Sequence, residues 1–210
     1  MPGTLIQINR SSGGIPKRPA LGPVPVTRAG LEGDDHRNLK YHGGPDKAIL
    51  MVAVEVLDDL KTKGFPVFPG AIGENLTVTG LDPGNWRSGQ RYRIGDEVVI
   101  ELTTLRTPCA NLDVYNPGIK ATLYDAKCKA GNPETPNWAR GGFYARVIHE
   151  GLLVPGAPVT LESESCRLSN PVMRPDNPPE HPLRQDLPQR SRSLLMPVRH
   201  RHPFRRNPRH

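Results

Sequence analysis

The amino-acid sequence predicts a mainly β protein, a closed or partly closed antiparallel β-barrel with a few peripheral helices. Short runs rich in β-branched residues recur along residues 1–164, and Gly, Pro and Asp separate them. No glycine loop of the G-x-G-x-x-G or G-x-x-x-x-G-K-[ST] kind occurs. These observations favour a barrel or sandwich over a nucleotide-binding α/β fold.

The predicted elements follow one another with short connections. Strands are predicted over residues 4–9, 48–54, 76–79, 91–94, 97–104, 142–149 and 158–162. A helix is predicted over 55–63, because Val56, Leu57 and Leu60 lie on one face, and a weaker helix over 119–130, ended by Gly131. The helices would pack on the barrel or close one end.

Residues 165–210 differ from the rest in composition and form a second predicted region, a disordered tail. They contain ten Arg, no Lys, three acidic residues and nine of the 24 prolines. Subtraction leaves 18 basic and 18 acidic residues in 1–164, so the net charge of +7 belongs to the tail. The tail would be a solvated extension, a product of a shifted reading frame, or an arginine-rich arm for nucleic acid, which the neutral body disfavours.

The cysteines favour a reducing compartment. Cys109, Cys128 and Cys166 are an odd number without C-x-x-C spacing, and the chain shows no secretory signal. The longest apolar run, residues 48–54, is far shorter than the roughly 20 residues that cross a bilayer. We therefore expect a soluble, cytoplasmic protein with no membrane partner.

The loop after the strand at 97–104 carries the first candidate for chemistry, Cys109. Arg106, three residues before it, favours a thiolate, and Pro108 fixes the local backbone. Arg106 is also suited to a phosphate or oxo group, and Asn111 and Asp113 follow as polar neighbours. The alternative for a lone cysteine is a small buried hydrophobic residue.

The segment 41–47 has the composition of an anion-binding loop. Gly43 and Gly44 let backbone N–H groups approach an anion, and His42 and Lys47 supply further donors. The alternative is a Gly-Pro turn in which His and Lys are merely solvated.

Two further segments supply polar groups that a ligand could contact. Glu74 and Asn75 follow two glycines immediately before a strand, where the alternative is a bulge with a local hydrogen bond. Tyr144 and Arg146 share parity on the strand at 142–149 and would line a pocket together, unless Arg146 is simply solvated.

Other enzyme classes fit the sequence poorly. Among residues 1–164, His36, His42 and His149 lack the spacing of a zinc hydrolase, and no G-x-S-x-G elbow occurs. A Cys–His nucleophilic pair between Cys109 and His42 or His149 stays open, since such partners meet in space.

Five segments, taken in this order, resemble the MOSC family, named for the C-terminal domain of molybdenum cofactor sulfurases. They are residues 42–49 (HGGPDKAI), 70–76 (GAIGENL), 93–96 (RIGD), 106–111 (RTPCAN) and 142–147 (GFYARV). The similar branch comprises stand-alone bacterial proteins associated with resistance to N-hydroxylated purines such as 6-hydroxylaminopurine. That branch often continues into a small helical domain, of which residues 165–210 show no sign.

The resemblance implies a barrel that binds molybdenum cofactor, with Cys109 donating its thiolate to the metal, which suits a soft ligand. It implies a cofactor-binding set of His42, Gly43, Gly44, Lys47, Gly73, Glu74, Asn75, Arg106, Thr107, Asn111, Tyr144 and Arg146. By analogy the reaction is two-electron reduction of an N-hydroxylated base, with Glu74 or Asp113 supplying a proton and a reductase partner supplying electrons. The alternative is a carrier or sulfur-handling module that binds the cofactor for delivery without turning over substrate.

Overall fold

The computed structural model describes residues 2–35 and 43–163. The predicted tail, the boundary placed after residue 164 and two candidate residues, His36 and His42, therefore lie outside the described residues. Within those residues seven strands form a closed barrel, because the last strand pairs back onto the first. The mainly β fold class predicted from the sequence is confirmed.

All seven predicted strands are present, and they make up the barrel. They are β1 (Gly3–Arg10), β5 (Ile49–Ala53), β6 (Leu76–Thr79), β7 (Arg91–Ile94), β8 (Val98–Leu105), β9 (Phe143–His149) and β11 (Pro158–Ser163). Around the barrel the order is β11, β7, β8, β9, β5, β6, β1, and β1 pairs with β11 to complete it. Four shorter strands were not predicted: β2 (Arg18–Pro19), β3 (Val24–Thr27), β4 (Gly30–Leu31) and β10 (Gly151–Leu153).

One strand pair departs from the antiparallel arrangement that the sequence suggested. Strands β5 and β6 run parallel, with Met51 opposite Leu76 and Ala53 opposite Val78. The chain between them forms helix α1 (Val54–Thr62), which buries Val56, Leu57 and Leu60. A helix of this length can carry the chain back to the starting end of the sheet, so the next strand enters in the same direction.

The weaker predicted helix at 119–130 is present as two short pieces, α2 (Ile119–Leu123) and α3 (Ala126–Lys129). They are separate because Tyr124 is extended and Asp125 begins the second helix, its side chain accepting a hydrogen bond from the Cys128 N–H. Ile119, Leu123 and Cys128 are buried. Cys128 therefore belongs to a packed helix face.

The junction of β8 and β9 positions the loop that carries Cys109. Leu105 pairs with Phe143, and the Arg106 N–H then donates to the Gly142 carbonyl at 3.0 Å. Gly142 has φ +92, and a Cβ there would lie 2.6 Å from Val52 and 2.7 Å from the Met51 carbonyl. Only glycine fits this close approach, so the loop leaves β8 directly beside the start of β9.

Candidate functional site

Cys109 lies at the start of a short 3-10 helix, Ala110–Tyr115, that follows strand β8. Its backbone is extended, its thiol makes no disulfide, and the residue is only partly buried. Its carbonyl accepts from the Leu112 N–H at 3.2 Å, and Leu112 is fully buried in the core. The helix is thus anchored by Leu112, and the thiol is held at its exposed beginning.

Arg106, in contrast, is buried, with 4% of its surface exposed. One terminal nitrogen, Nη2, donates to the Ile72 carbonyl at 2.9 Å. The other, Nη1, is buried and has no hydrogen-bond partner among the described residues. An unpartnered buried guanidinium nitrogen costs free energy unless something else occupies its donor, so this atom is the strongest structural indication of a ligand.

Tyr144 lies close to Arg106, to Cys109 and to Lys47. Burial raises the pKa of the Tyr144 hydroxyl; the nearby charge of Arg106 lowers it, and a Cys109 thiolate raises it. The Lys47 ammonium group lies 5.6 Å from the centre of the Tyr144 ring. Tyr144 thus has two cations and a thiol around it. The role of these four residues in cofactor binding stays a prediction.

Glu74 lies behind this group, fully buried in the turn that leads into β6. Its Oε1 accepts from the Gly70 N–H at 2.5 Å and from the Thr77 hydroxyl at 3.3 Å, while Oε2 has no partner among the described residues. Burial raises the pKa of Glu74 to about 7, although these hydrogen bonds and the charge of Arg106 lower it. Glu74 is therefore a buried acid that titrates near neutral pH.

Asn75, the next residue, belongs to a different set of contacts. Its Oδ1 accepts from the Leu50 N–H at 3.0 Å, and its Nδ2 donates to Asp34 at 2.8 Å and to the Asn9 carbonyl at 3.4 Å. Asp34 in turn forms a buried ion pair with Lys17, at 2.5 Å. These contacts favour the structural role that the sequence left open for Asn75, and its role in cofactor binding stays a prediction.

The remaining predicted residues lie nearer the surface. Arg146 is exposed on β9, on the same side of the strand as the partly buried Tyr144, and its guanidinium lies 3.3 Å from Asp46 and 3.8 Å from Glu101. Asp113 forms a half-exposed ion pair with Lys120 at 2.8 Å, although its Oδ1 is buried without a partner among the described residues. Their binding or catalytic roles stay predictions.

Four other residues of the predicted set are either glycines in a turn or exposed polar residues. Gly43 and Gly44 both have positive φ values, 81 and 83, and Gly44 accepts at its carbonyl from the Lys47 N–H. Thr107 is exposed beside Cys109, and Asn111 is exposed on the 3-10 helix. The glycines thus shape the turn that presents Lys47.

Sequence reasoning missed Tyr115 and Lys17 as neighbours of the site. Burial raises the pKa of Tyr115, and the charge of Glu74 raises it further. Glu74 also acts on Lys17, whose pKa burial lowers. Neither residue stands in one of the motifs, so the sequence carried no signal for either of them.

Within the described ranges no group of three or more His, Cys, Asp or Glu side chains is placed to hold a metal ion. No helix there is long and apolar enough to cross a membrane.

Comparison with known proteins identifies relatives of the chain. YflK of Bacillus subtilis, an uncharacterized protein, is 35% identical over 71% of this chain and 63% of its own length. YiiM of Escherichia coli is 34% identical over 45% of this chain and 43% of its own length. A reductase of Gibberella moniliformis is 26% identical over 76% of this chain but only 29% of its own length. The chain thus spans less than two thirds of each of these proteins.

Solved structures agree with the sequence comparison. The crystal structure of YiiM from Geobacillus stearothermophilus superimposes with a TM-score of 0.56 at 28% identity, covering 77% of this chain and 76% of that one. The crystal structure of YiiM from Escherichia coli superimposes with a TM-score of 0.55 at 25% identity, covering 78% of this chain and 71% of that one. The model of the MOSC domain matches residues 38–160, which is more than half of the chain. The chain therefore belongs to the MOSC domain family, as the five ordered segments had indicated.

Proposed function

We propose that this protein binds molybdenum cofactor through Cys109 and reduces N-hydroxylated bases or related N-hydroxylated compounds. The observation that carries the proposal is the unpartnered Nη1 of buried Arg106, which lies on the same loop as the partly exposed Cys109 thiol. Membership of the MOSC family supports the cofactor class, and the reductase relative supports the reaction class. A reducing compartment such as the cytoplasm would keep Cys109 available.

The residues present fit this cofactor. A thiolate is a soft ligand, and one thiolate suffices for a metal that arrives already held by the dithiolene sulfurs of a pterin. The phosphate and oxo groups of such a cofactor are anionic, and the site supplies two cations for them, Arg106 and Lys47. Gly44 opens the turn before Lys47, and among the described residues no heavy atom lies within 4 Å of the position of a Cβ there.

When bound, the cofactor supplies the two-electron redox chemistry. The chain's own residues bind and orient: Cys109 holds the metal, Arg106 and Lys47 hold negative charge, and Tyr144 keeps a protonated hydroxyl group beside them. Reduction of an N–OH bond also consumes protons. Glu74, with its pKa of about 7, is better suited to hold one at neutral pH than Asp113, whose carboxylate pairs with Lys120.

The first test is the molybdenum and pterin content of the full chain, purified from a host that makes the cofactor. Wild type should contain both, and Cys109→Ala should lose the metal. Cys128→Ala is the matched control, because Cys128 is buried on α3 and its loss should leave the metal in place. Equal metal content in wild type and Cys109→Ala would overturn the assignment of Cys109.

The alternative is a carrier that binds the cofactor without turnover. Its support is the limited length of the match, since the chain covers only 29% of the reductase relative. The remaining length of that protein has no counterpart in the match. As an enzyme, the protein would receive its electrons from a reductase partner. Loaded protein given a reduced viologen dye and an N-hydroxylated purine separates the two: an enzyme reduces the substrate, and a carrier does not.

A further inference from the structure

Glu74 and Arg106 form a buried acid–base couple in which each side chain has one unpartnered atom. Glu74 Oε2 and Arg106 Nη1 are both buried and lack hydrogen bonds among the described residues. Each side chain is held by its other atom, Glu74 by the Gly70 N–H and Arg106 by the Ile72 carbonyl. Both anchors belong to the same turn, so the two groups are fixed near each other without closing into an ion pair.

Charges interact strongly in such a place, because little water is present to screen them. With Glu74 ionised, the couple is neutral overall, and an anion beside Arg106 also feels the negative carboxylate. With Glu74 protonated, the couple carries a full positive charge. The attraction for an anion therefore depends on whether Glu74 holds a proton.

We propose that Glu74 couples anion binding at Arg106 to the uptake of a proton. The proposal deepens the proposed function, since the anion there would be the phosphate or oxo group of the cofactor. By reciprocity, an anion that binds more tightly when Glu74 is neutral also raises the affinity of Glu74 for its proton. Filling the site then leaves a proton on Glu74, close to the groups that would need it for N–OH reduction.

The other charged groups that face Glu74 do not take over this role. Lys17 is held by its ion pair with Asp34, at 2.5 Å. Burial and the Glu74 charge raise the pKa of Tyr115 above its usual 10, with only Arg18 opposing them, so the Tyr115 phenol stays protonated near neutral pH. Burial raises the pKa of Glu74 to about 7, so the charge of this carboxyl changes near neutral pH.

The test measures sulfate binding to the full, cofactor-free chain by calorimetry from about pH 6 to about pH 8, across the titration of Glu74. The charge of sulfate is constant over this range. The affinity of wild type should fall on the order of tenfold as pH rises. Glu74→Gln should bind sulfate with the same affinity at every pH in this range, and that affinity should equal the one that wild type shows at low pH.

Glu55→Gln is the matched control. Glu55 also accepts from a Thr hydroxyl and a Gly N–H, those of Thr79 and Gly80, but it is exposed. This variant should keep the pH dependence of wild type. Arg106→Gln should lose sulfate binding; undiminished binding by this variant would place the anion elsewhere and overturn the proposal.

A second measurement needs no variant, in case Glu74→Gln fails to fold. Sulfate binding to wild type near pH 7, in buffers of different ionisation enthalpy, should show uptake of a fraction of a proton. No uptake, or an affinity independent of pH, would overturn the coupling even in a protein that contains molybdenum. Absence of molybdenum would instead overturn the proposed function and leave the sulfate result standing, so the two failures are distinguishable.

Discussion

Two buried acid–base couples meet at the turn formed by residues 70–75, and they are built differently. Lys17 and Asp34 are closed by a 2.5 Å contact, and Asp34 also accepts from the Ser11 N–H and from Asn75. Arg106 and Glu74 each keep an unpartnered buried atom. The buried charges of Lys17 and Asp34 thus pair with each other, whereas the couple near the cysteine keeps two atoms without a partner among the described residues.

Gly70 joins the two couples. Its carbonyl accepts from the Lys17 N–H at 2.9 Å, and its own N–H donates to Glu74. Its φ is +92, and a Cβ would lie 2.4 Å from the Lys17 carbonyl oxygen. The closed couple therefore holds the turn in place, and the turn holds Glu74 and the carbonyl that anchors Arg106.

The largest effect is expected from breaking the closed couple. Asp34→Ala should lower the free energy of unfolding by about 3–5 kcal/mol, because it leaves the Lys17 charge buried without its partner. Urea unfolding measures this. Asp58→Ala is the control, since its ion pair with Lys61 is exposed and should contribute less than about 1 kcal/mol. Equal effects of the two variants would contradict the comparison.

Glu74→Gln should change the dependence of stability on pH. The folded-state pKa of Glu74, about 7, lies above its ordinary value of 4.5. The folded protein therefore binds this proton more tightly than the unfolded chain does. The contribution of Glu74 to stability is fully present below pH 4.5 and is lost as the pH rises to about 7. The loss is on the order of 3 kcal/mol. Relative to wild type, Glu74→Gln should gain this amount over the same range; parallel pH profiles of the two proteins would refute the buried, titrating carboxyl.

Asn75→Ala should destabilise the cofactor-free protein by about 2 kcal/mol, because it leaves the Leu50 N–H without its acceptor and removes a donor to Asp34. Thermal or urea unfolding of the cofactor-free variant measures this loss of stability. Asn111→Ala is the control, since Asn111 is exposed. A stable Asn75→Ala protein that fails only to bind cofactor would favour a binding role instead of the structural one.

Arg106→Met should have the smallest effect on stability, about 1 kcal/mol or less. It removes the hydrogen bond to the Ile72 carbonyl but also removes a buried charge whose Nη1 has no partner. Unfolding by urea below pH 7, where Glu74 is largely neutral, is the measurement. A loss as large as that of Asp34→Ala would mean that Arg106 is a structural residue.

The sequence was sufficient for the barrel strands because alternation and turn residues are local signals. The sequence did not predict that β6 runs parallel to β5, since that pairing depends on where helix α1 ends relative to the sheet. The Cys109 loop was found from Arg106, Pro108 and their spacing. The contrast between Glu74 and Asn75 was not visible in the sequence, because both residues are polar and the groups that distinguish them are far along the chain. Glu74 lies near the charge of Arg106, and Asn75 donates a hydrogen bond to Asp34.

Closure of the barrel has a consequence for the order of assembly. Gly3 pairs with Val159, so the two ends of the barrel chain meet only after nearly all of it has been made. The site draws on segments around Lys47, Glu74, Arg106 and Tyr144, which β5, β6, β8 and β9 bring together. Folds with such long-range pairings form slowly. The candidate anion site therefore cannot assemble before the chain has been made through β9, which ends at His149.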